Sequence, residues 1–265
     1  MAPASEGGGS SSRRADWKAC YVYGITRAGA EVEDMPDGIG DPPALVELVE
    51  ERDIAAIVSE VDPDKPLGTP DDLVAYQRVL DAVAAEWPVL PMRFGAVVTN
   101  CDAVASELLS DHYDEFAGAL GDMEGMAEYI VRGRYQERAV LASVLASNGE
   151  AAELAREIRG TDEIVTRPQR IRLGEIVNAA FEEQRQADTA QASEALEKLG
   201  LSVVVRDPTH EQDAVHLAVL AKVKEQSRLE KAVGDLADEW QDRVSMRLLG
   251  PLAPYDFVGQ PATAA

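Results

Sequence analysis

Apolar positions along the chain fall into short runs near its two ends and into helical stripes between them. Cys20-Tyr21-Val22-Tyr23-Gly24-Ile25 is rich in β-formers and apolar on both alternating faces, which predicts an interior strand. Asp41-Pro42-Pro43 reads as a helix start, because proline's fixed φ and missing donor suit a first turn. Leu45, Val46, Leu48 and Val49 would give that short helix an apolar side, and Ile54–Val61 predicts a second strand, so the opening is expected to be a β-α-β unit. Thr69-Pro70-Asp71-Asp72 combines a cap, a proline and two acids in one turn. Leu73, Tyr76, Leu80, Val83 and Trp87 follow at helical spacing. That helix leads to Val89–Val98, the most continuous apolar run of the first half, bounded by Trp87-Pro88 and Thr99-Asn100 and expected to be a strand buried on both faces. Pro91 cannot donate to a ladder, which places it at the strand's entry or at a sheet edge. Asn100 and Asp102 then cap a helix through Val104, Leu108, Leu109, Phe116 and Leu120.

The second half begins with a strand over Met126–Arg132, after which the chain is mostly helical to about Gly200. Leu141, Val144 and Leu145 form one stripe, and Leu173, Ile176, Val177, Ala180 and Phe181 another. The polar stretch 184–195 reads as a solvated helix or helical hairpin. Leu201–Arg206 and Ala214–Val223 predict a wide hairpin turned by Asp207-Pro208-Thr209. Leu229, Val233, Leu236 and Trp240 mark a helix packed on it, and Val244–Leu249 a last strand. The order β, long helical insertion, β, β, α, β is ferredoxin-like with an enlarged first helix. The fold class is therefore α+β, with a tail over 1–16, an N-terminal α/β domain over 17–121, a helix-rich C-terminal domain over 122–258 and a frayed end over 259–265. The Gly7-Gly8-Gly9 and Ser10-Ser11-Ser12 runs predict that the N-terminal tail is disordered.

Composition narrows the partners more than the fold. Forty-eight acidic against twenty-five basic residues give a net charge of −23, a surface that repels phosphate backbones and anionic head groups. Nucleic acid and membrane are accordingly excluded as expected partners. No apolar run reaches transmembrane length, and the N-terminus lacks a secretory h-region, so a cytoplasmic location is expected. Cys20 and Cys101 are far apart in sequence; two buried thiols are the expectation in a reducing cytosol, with a disulfide as the alternative.

Candidate chemistry is sparse. His112, His210 and His216 stand in no metal-binding motif, and His216 falls on the solvated face of its strand. No phosphate-cradling glycine motif or nucleophile elbow occurs. The paired acids Asp71-Asp72, Glu50-Glu51 and Glu182-Glu183 read as polar helix faces. These features predict neither catalytic residues nor a cofactor or metal. Scarce arginines say more: Arg132, Arg134 and Arg138 cluster, and Arg156, Arg159, Arg167, Arg170 and Arg172 share one helical region. They form either a patch for an acidic partner or intramolecular pairs with neighbouring acids. Arg93-Phe94-Gly95 is either a binding surface or a core strand whose arginine buries its stem and exposes its head. The closing segment Gly250–Val258, with Pro254, Tyr255 and Phe257, is built to dock on its own domain or on a partner.

Four segments taken together resemble the gas vesicle protein F/L family: Tyr21-Val22-Tyr23-Gly24-Ile25, Ala56-Ile57-Val58-Ser59-Glu60-Val61, Val89-Leu90-Pro91-Met92-Arg93-Phe94-Gly95 and Gly250-Pro251-Leu252-Ala253-Pro254-Tyr255-Asp256-Phe257-Val258. Their order spans nearly the whole chain. The family's closing motif reads Gly-Pro-x-Pro-Pro-Tyr-x-Phe, and Ala253 stands where the first proline of its pair is expected. The resemblance implies a non-enzymatic accessory protein of gas vesicle formation, located in the cytoplasm and at the gas vesicle. It would have a modified ferredoxin-like N-terminal domain and would associate with the major gas vesicle shell protein and other gas vesicle accessory proteins. Arg93, Phe94, Gly95, Arg167, Arg170, Arg172, Pro254, Tyr255 and Phe257 are then the candidate partner-binding or domain-locking residues. A small-molecule-binding regulator built on ferredoxin-like domains is the alternative.

Overall fold

The computed structural model describes residues 18–258, so the predicted disordered tail over 1–16 and the predicted frayed end over 259–265 lie outside the described residues. The chain forms two units that divide between Glu124 and Gly125, and each is built on one antiparallel sheet.

In the first unit β1, Ala19–Arg27, lies between β3, Ile54–Val61, and β4, Val89–Pro91, with β2, Glu47–Glu51, outside β3. Residues 20–25 of β1 are buried without a break, as expected when both faces of a sheet are covered. Adjacent strand residues point to opposite faces. Cys20 is disulfide-bonded to Cys101 at the start of α2, Cys101–Ala103, whereas Tyr21 meets Tyr76 of α1, Pro70–Ala84. The two helices therefore cover opposite faces. A π-helical turn, Val104–Leu109, continues α2, and α3, Tyr113–Asp122, completes the unit. Thr69 caps α1 as its sequence predicts, in a capping box with Asp72. Leu73, expected on the buried stripe, is 43% exposed, and Val79 takes its place in the core.

Three expectations fail here. Residues 41–51 do not form a helix: the chain runs irregularly through Pro42-Pro43 and enters β2, which pairs antiparallel with β3. Adjacent apolar pairs such as Leu48-Val49 fit either period, and the edge of β3 supplied the backbone partners. The opening is thus an antiparallel arrangement and not a β-α-β unit. Second, the two cysteines are bonded to each other and are not free thiols. Third, Val89–Val98 is not one doubly buried strand. It pairs with β1 over Val89–Pro91 and again over β5, Val97–Val98, and it bulges out between them. Pro91 lies at the end of β4 on the sheet edge, where its missing amide proton costs no ladder bond.

The second unit centres on β6, Met126–Tyr135, between β8, Asp213–Lys222, and β9, Val244–Leu252, with β7, Ser202–Val205, outside β8. Three helices join β6 to β7: α4, Glu137–Ser147, α5, Gly149–Glu157, and α6, Arg167–Glu197. The stretch 184–195 is part of α6 and not a helical hairpin. A single helix, α7, Gln226–Glu239, joins β8 to β9. One sheet face, with Tyr129, Val131, Leu217 and Val219, packs against Val140, Val144, Ala192, Leu196, Leu229, Val233, Leu236 and Trp240. Val140 replaces Leu141 on the α4 stripe, since Leu141 is 41% exposed. His216 is buried on the other face and not solvated, its Nδ1 lying 2.9 Å from the Asp207 carbonyl oxygen. A buried carboxylate, Asp188, fixes α6 to the sheet. It accepts from the Tyr135 hydroxyl at 2.7 Å and from Gln184 at 3.1 Å, and it pairs with Arg243.

Both sheets have the same order. In each unit the first four strands run second, third, first, fourth across the sheet, and in the first unit β5 also pairs with β1.

Candidate functional site

Three places carry the residues singled out from sequence, and their surroundings differ. The bulge between β4 and β5 presents Arg93 to solvent. Phe94 instead turns inward, 5.3 Å from the Tyr76 ring and 6.2 Å from the Tyr21 ring in edge-on contacts. The Gly95 amide donates to the Tyr21 hydroxyl at 3.0 Å, from a backbone with φ of +89° that glycine adopts without strain. Burial pushes the Tyr21 hydroxyl up to about 12, so it stays a neutral partner for this amide. The arginine and the phenylalanine of one tripeptide thus do different work: Phe94 anchors the bulge and Arg93 is displayed by it.

The arginines of α6 also separate. Arg172 is held by Glu150 of α5 at 2.7 Å and by Glu175 at 3.4 Å. The Arg170 Nε donates to Thr166, while Arg167 at the start of α6 is exposed and has no ion-pair partner among the described residues. Ile164 and Val165, just before α6, are 85% and 75% exposed. Arg132 and Arg134 both reach the buried Asp213. Burial alone would raise the Asp213 pKa, but Arg132 and the Thr209 and His210 amides hold it well below the usual carboxylate range. Intramolecular pairing therefore accounts for Arg132, Arg134 and Arg172, and the patch reading keeps Arg167 with Arg170 beside it.

The closing segment docks on its own unit. Pro254 and the preceding Ala253 are buried, the Phe257 amide donates to the Pro254 carbonyl at 3.2 Å, and Tyr255 and Phe257 are half-buried. Gly250 has a φ of +137°, and a Cβ there would lie 2.7 Å from the Tyr129 ring. The Asp256 amide donates to Glu128 Oε2 at 2.9 Å, and Arg206 Nε lies 3.6 Å from the Asp256 carboxylate. Glu128 is 1% exposed on the sheet face opposite the helices. Burial, reinforced by the neighbouring Asp256 carboxylate, pushes its pKa up to about 8. Sequence reasoning missed Glu128. Its signal was present as one acid between apolar neighbours in the predicted strand Met126–Arg132. Among the described residues no group of three or more His, Cys, Asp or Glu is placed to hold a metal ion, and no helix is long and apolar enough to cross a membrane.

The family model described as gas vesicle synthesis protein GvpL/GvpF matches residues 19–259. The chain belongs to that family. A member from Streptomyces sp. (strain CB03234), gas vesicle protein F, is 35% identical over 243 residues, covering 90% of this chain and 98% of the relative. Gas vesicle protein F of Dolichospermum flosaquae is 23% identical, with 89% of this chain and 96% of that one covered. The fold agrees as well. The crystal structure of gas vesicle protein GvpF from Anabaena sp. PCC7120 superposes with a TM-score of 0.72 at 21% identity, over 92% of this chain and 99% of that one. GvpF from Microcystis aeruginosa gives 0.64 at 19% identity, over 91% and 99%. Family membership supports a role in gas vesicle formation, and the mixed α/β fold with two antiparallel sheets resembles those GvpF structures.

Proposed function

We propose that this protein is a non-enzymatic assembly factor of gas vesicle formation, acting in the cytoplasm and at the growing vesicle. It binds the major shell protein and other accessory proteins while the shell is nucleated and extended. The observation that carries this reading is the family match over residues 19–259, end to end with the curated F proteins. A physical need for such a factor exists wherever a subunit with exposed strand edges must be kept from pairing at random. The displayed Arg93 and the Arg167–Arg170 turn beside Ile164 and Val165 are the residues proposed to meet partners. Co-purification of the major shell protein with the tagged full chain, from cells expressing the whole vesicle gene set, tests the proposal. A strain lacking this protein that still builds normal vesicles would remove the required role.

Both units are also proposed to be variants of one ferredoxin-like plan, modified in the first and enlarged by helices in the second. Their shared strand order and antiparallel pairing support this relation.

A further inference from the structure

The first unit carries a groove that none of the predicted site residues touches. It has a volume of about 970 Å³, near the upper end of the roughly 300–1,000 Å³ spanned by ligand sites. One wall is the segment from Ile39 to Leu45, the other runs from Asp62 to Thr69, and Val61 of β3 lies between them.

The walls are fixed from beneath by buried polar groups. The Asp72 carboxylate accepts from the Gly40 amide of the first wall at 3.0 Å, and from the Gly68 and Thr69 amides of the second at 3.0 and 2.9 Å. The Tyr23 hydroxyl accepts from the Ile39 amide and donates to Ser59, whose hydroxyl donates to the Leu45 carbonyl at 2.7 Å. Lys65 spans the opening to the Asp41 carbonyl. A groove whose two walls hang on the same carboxylate keeps its width without a ligand, and preorganisation of this kind lowers the cost of binding.

Its lining mixes exposed apolar side chains with acids. Leu45 is 71% exposed, and Pro42, Pro43 and Pro66 line the groove beside it. Asp41, Glu47, Asp62 and Asp64 lie at the surface with no ion-pair partner among the described residues. The two lysines of the lining are engaged, Lys18 with Glu60 at 2.6 Å and Lys65 across the opening. Carboxylates without an ion-pair partner around apolar side chains complement a chain of opposite charge with aliphatic anchors.

We propose that this groove is a docking site for an extended basic segment of a partner protein, with lysine or arginine side chains meeting the rim and an aliphatic side chain seated against Leu45. The proposal rests on the assembly-factor reading and adds to it the kind of segment a partner offers.

A fluorescein-labelled peptide alternating lysine and leucine, titrated into the full chain and followed by anisotropy, is the test. Binding that weakens with added salt is expected, together with a loss of about tenfold in affinity in the Glu47→Lys/Asp64→Lys variant and in Leu45→Ser, each checked for an unchanged melting temperature. The Glu183→Lys/Glu197→Lys variant on α6 changes net charge equally and should bind as the parent does. Equal loss in both charge variants would mean general attraction to an acidic protein and overturn the groove. So would equal binding of a peptide alternating glutamate and leucine. Affinity that rises on deleting residues 1–17 would assign the groove to the chain's own Arg13-Arg14, and a dimer dissociated by the groove variants would assign it to a second copy; either outcome overturns a partner segment. If the groove variants still co-purify the shell protein, the groove fails while the assembly role stands; absence of co-purification with the unaltered chain removes the assembly role instead.

Discussion

Glu128, near the start of β6, and Asp256, in the closing segment, meet through one backbone amide and two carboxyl groups on a sheet face where Glu128 is buried and Asp256 is partly covered. The charged and titratable groups beside this pair are Arg206, after β7, and, further along β8 on the same face, the exposed Lys222. A raised carboxyl pKa means that the folded protein binds a proton which the unfolded chain has lost at the same pH. Its contribution to stability is therefore complete below the ordinary glutamate range and is lost as pH rises toward about 8. Glu128→Gln, which keeps the shape of the protonated acid, should melt higher than the parent at pH 8. The gap should close toward pH 5. A gap that is constant across this range, measured by thermal unfolding, would contradict the assignment.

The bulge predicts a division of labour inside one tripeptide. Phe94→Ala removes a ring packed on Tyr21 and Tyr76 and should lower stability by about 2 kcal/mol, less than a fully buried phenylalanine would cost. Arg93→Ala should leave the denaturation midpoint unchanged, because the side chain is solvent-exposed. Urea unfolding of both variants separates the roles, and shell-protein co-purification with Arg93→Ala then reports on the displayed surface alone.

Asp72 gathers amides from two loops as well as from its own helix start. Burial opposes its ionisation, yet the Thr69, Gly40 and Gly68 bonds hold its pKa below the usual value. Asp72→Ala should cost about 2 kcal/mol or more, since it removes a helix cap and leaves amide donors without an acceptor. As pH falls through the depressed pKa the parent should lose this advantage, so the two proteins should converge in acid.

Cys20 and Cys101 are 81 residues apart in sequence. Closing a loop of that length in the unfolded chain stabilises a fold by about 2–4 kcal/mol. Alkylation under denaturing conditions without reductant should label neither cysteine, and a reductant should lower the melting temperature of the parent but not of Cys20→Ala/Cys101→Ala.

Most of the second unit was legible because its strands are separated by turn residues and its helices carry one apolar face each. Leu229, Val233, Leu236 and Trp240, named from spacing alone, are all buried. In the first unit the signals compete. Pro42-Pro43 suits a helix start as well as an irregular entry to an edge strand, and only the position of β3 decides between them. The bulge at Arg93 was hidden for a related reason: its apolar flanks belong to the sheet, whereas the φ of Gly95 and the Tyr21 hydroxyl that receives its amide are tertiary facts. The disulfide needed the placement of α2 over the Cys20 face, which no spacing reveals. Of the site candidates, the tail's prolines and aromatics left docking on its own domain or on a partner open, and the segment lies on its own unit. The acid beneath it was overlooked because one glutamate in a strand reads as an exposed one.

The order of strands in the two sheets bears on where this chain tolerates new material. In each unit the first and second strands are never neighbours, because the third lies between them. The segment joining them closes no ladder and has only to reach across. The first unit crosses this gap with residues 28–46 and the second with three helices. Lengthening such a connection costs little closure entropy. A peptide tag spliced between the exposed Glu33 and Asp34 should thus leave both hydrogen-bond ladders intact, giving the first unit a handle at the position where the second already carries its helical arm.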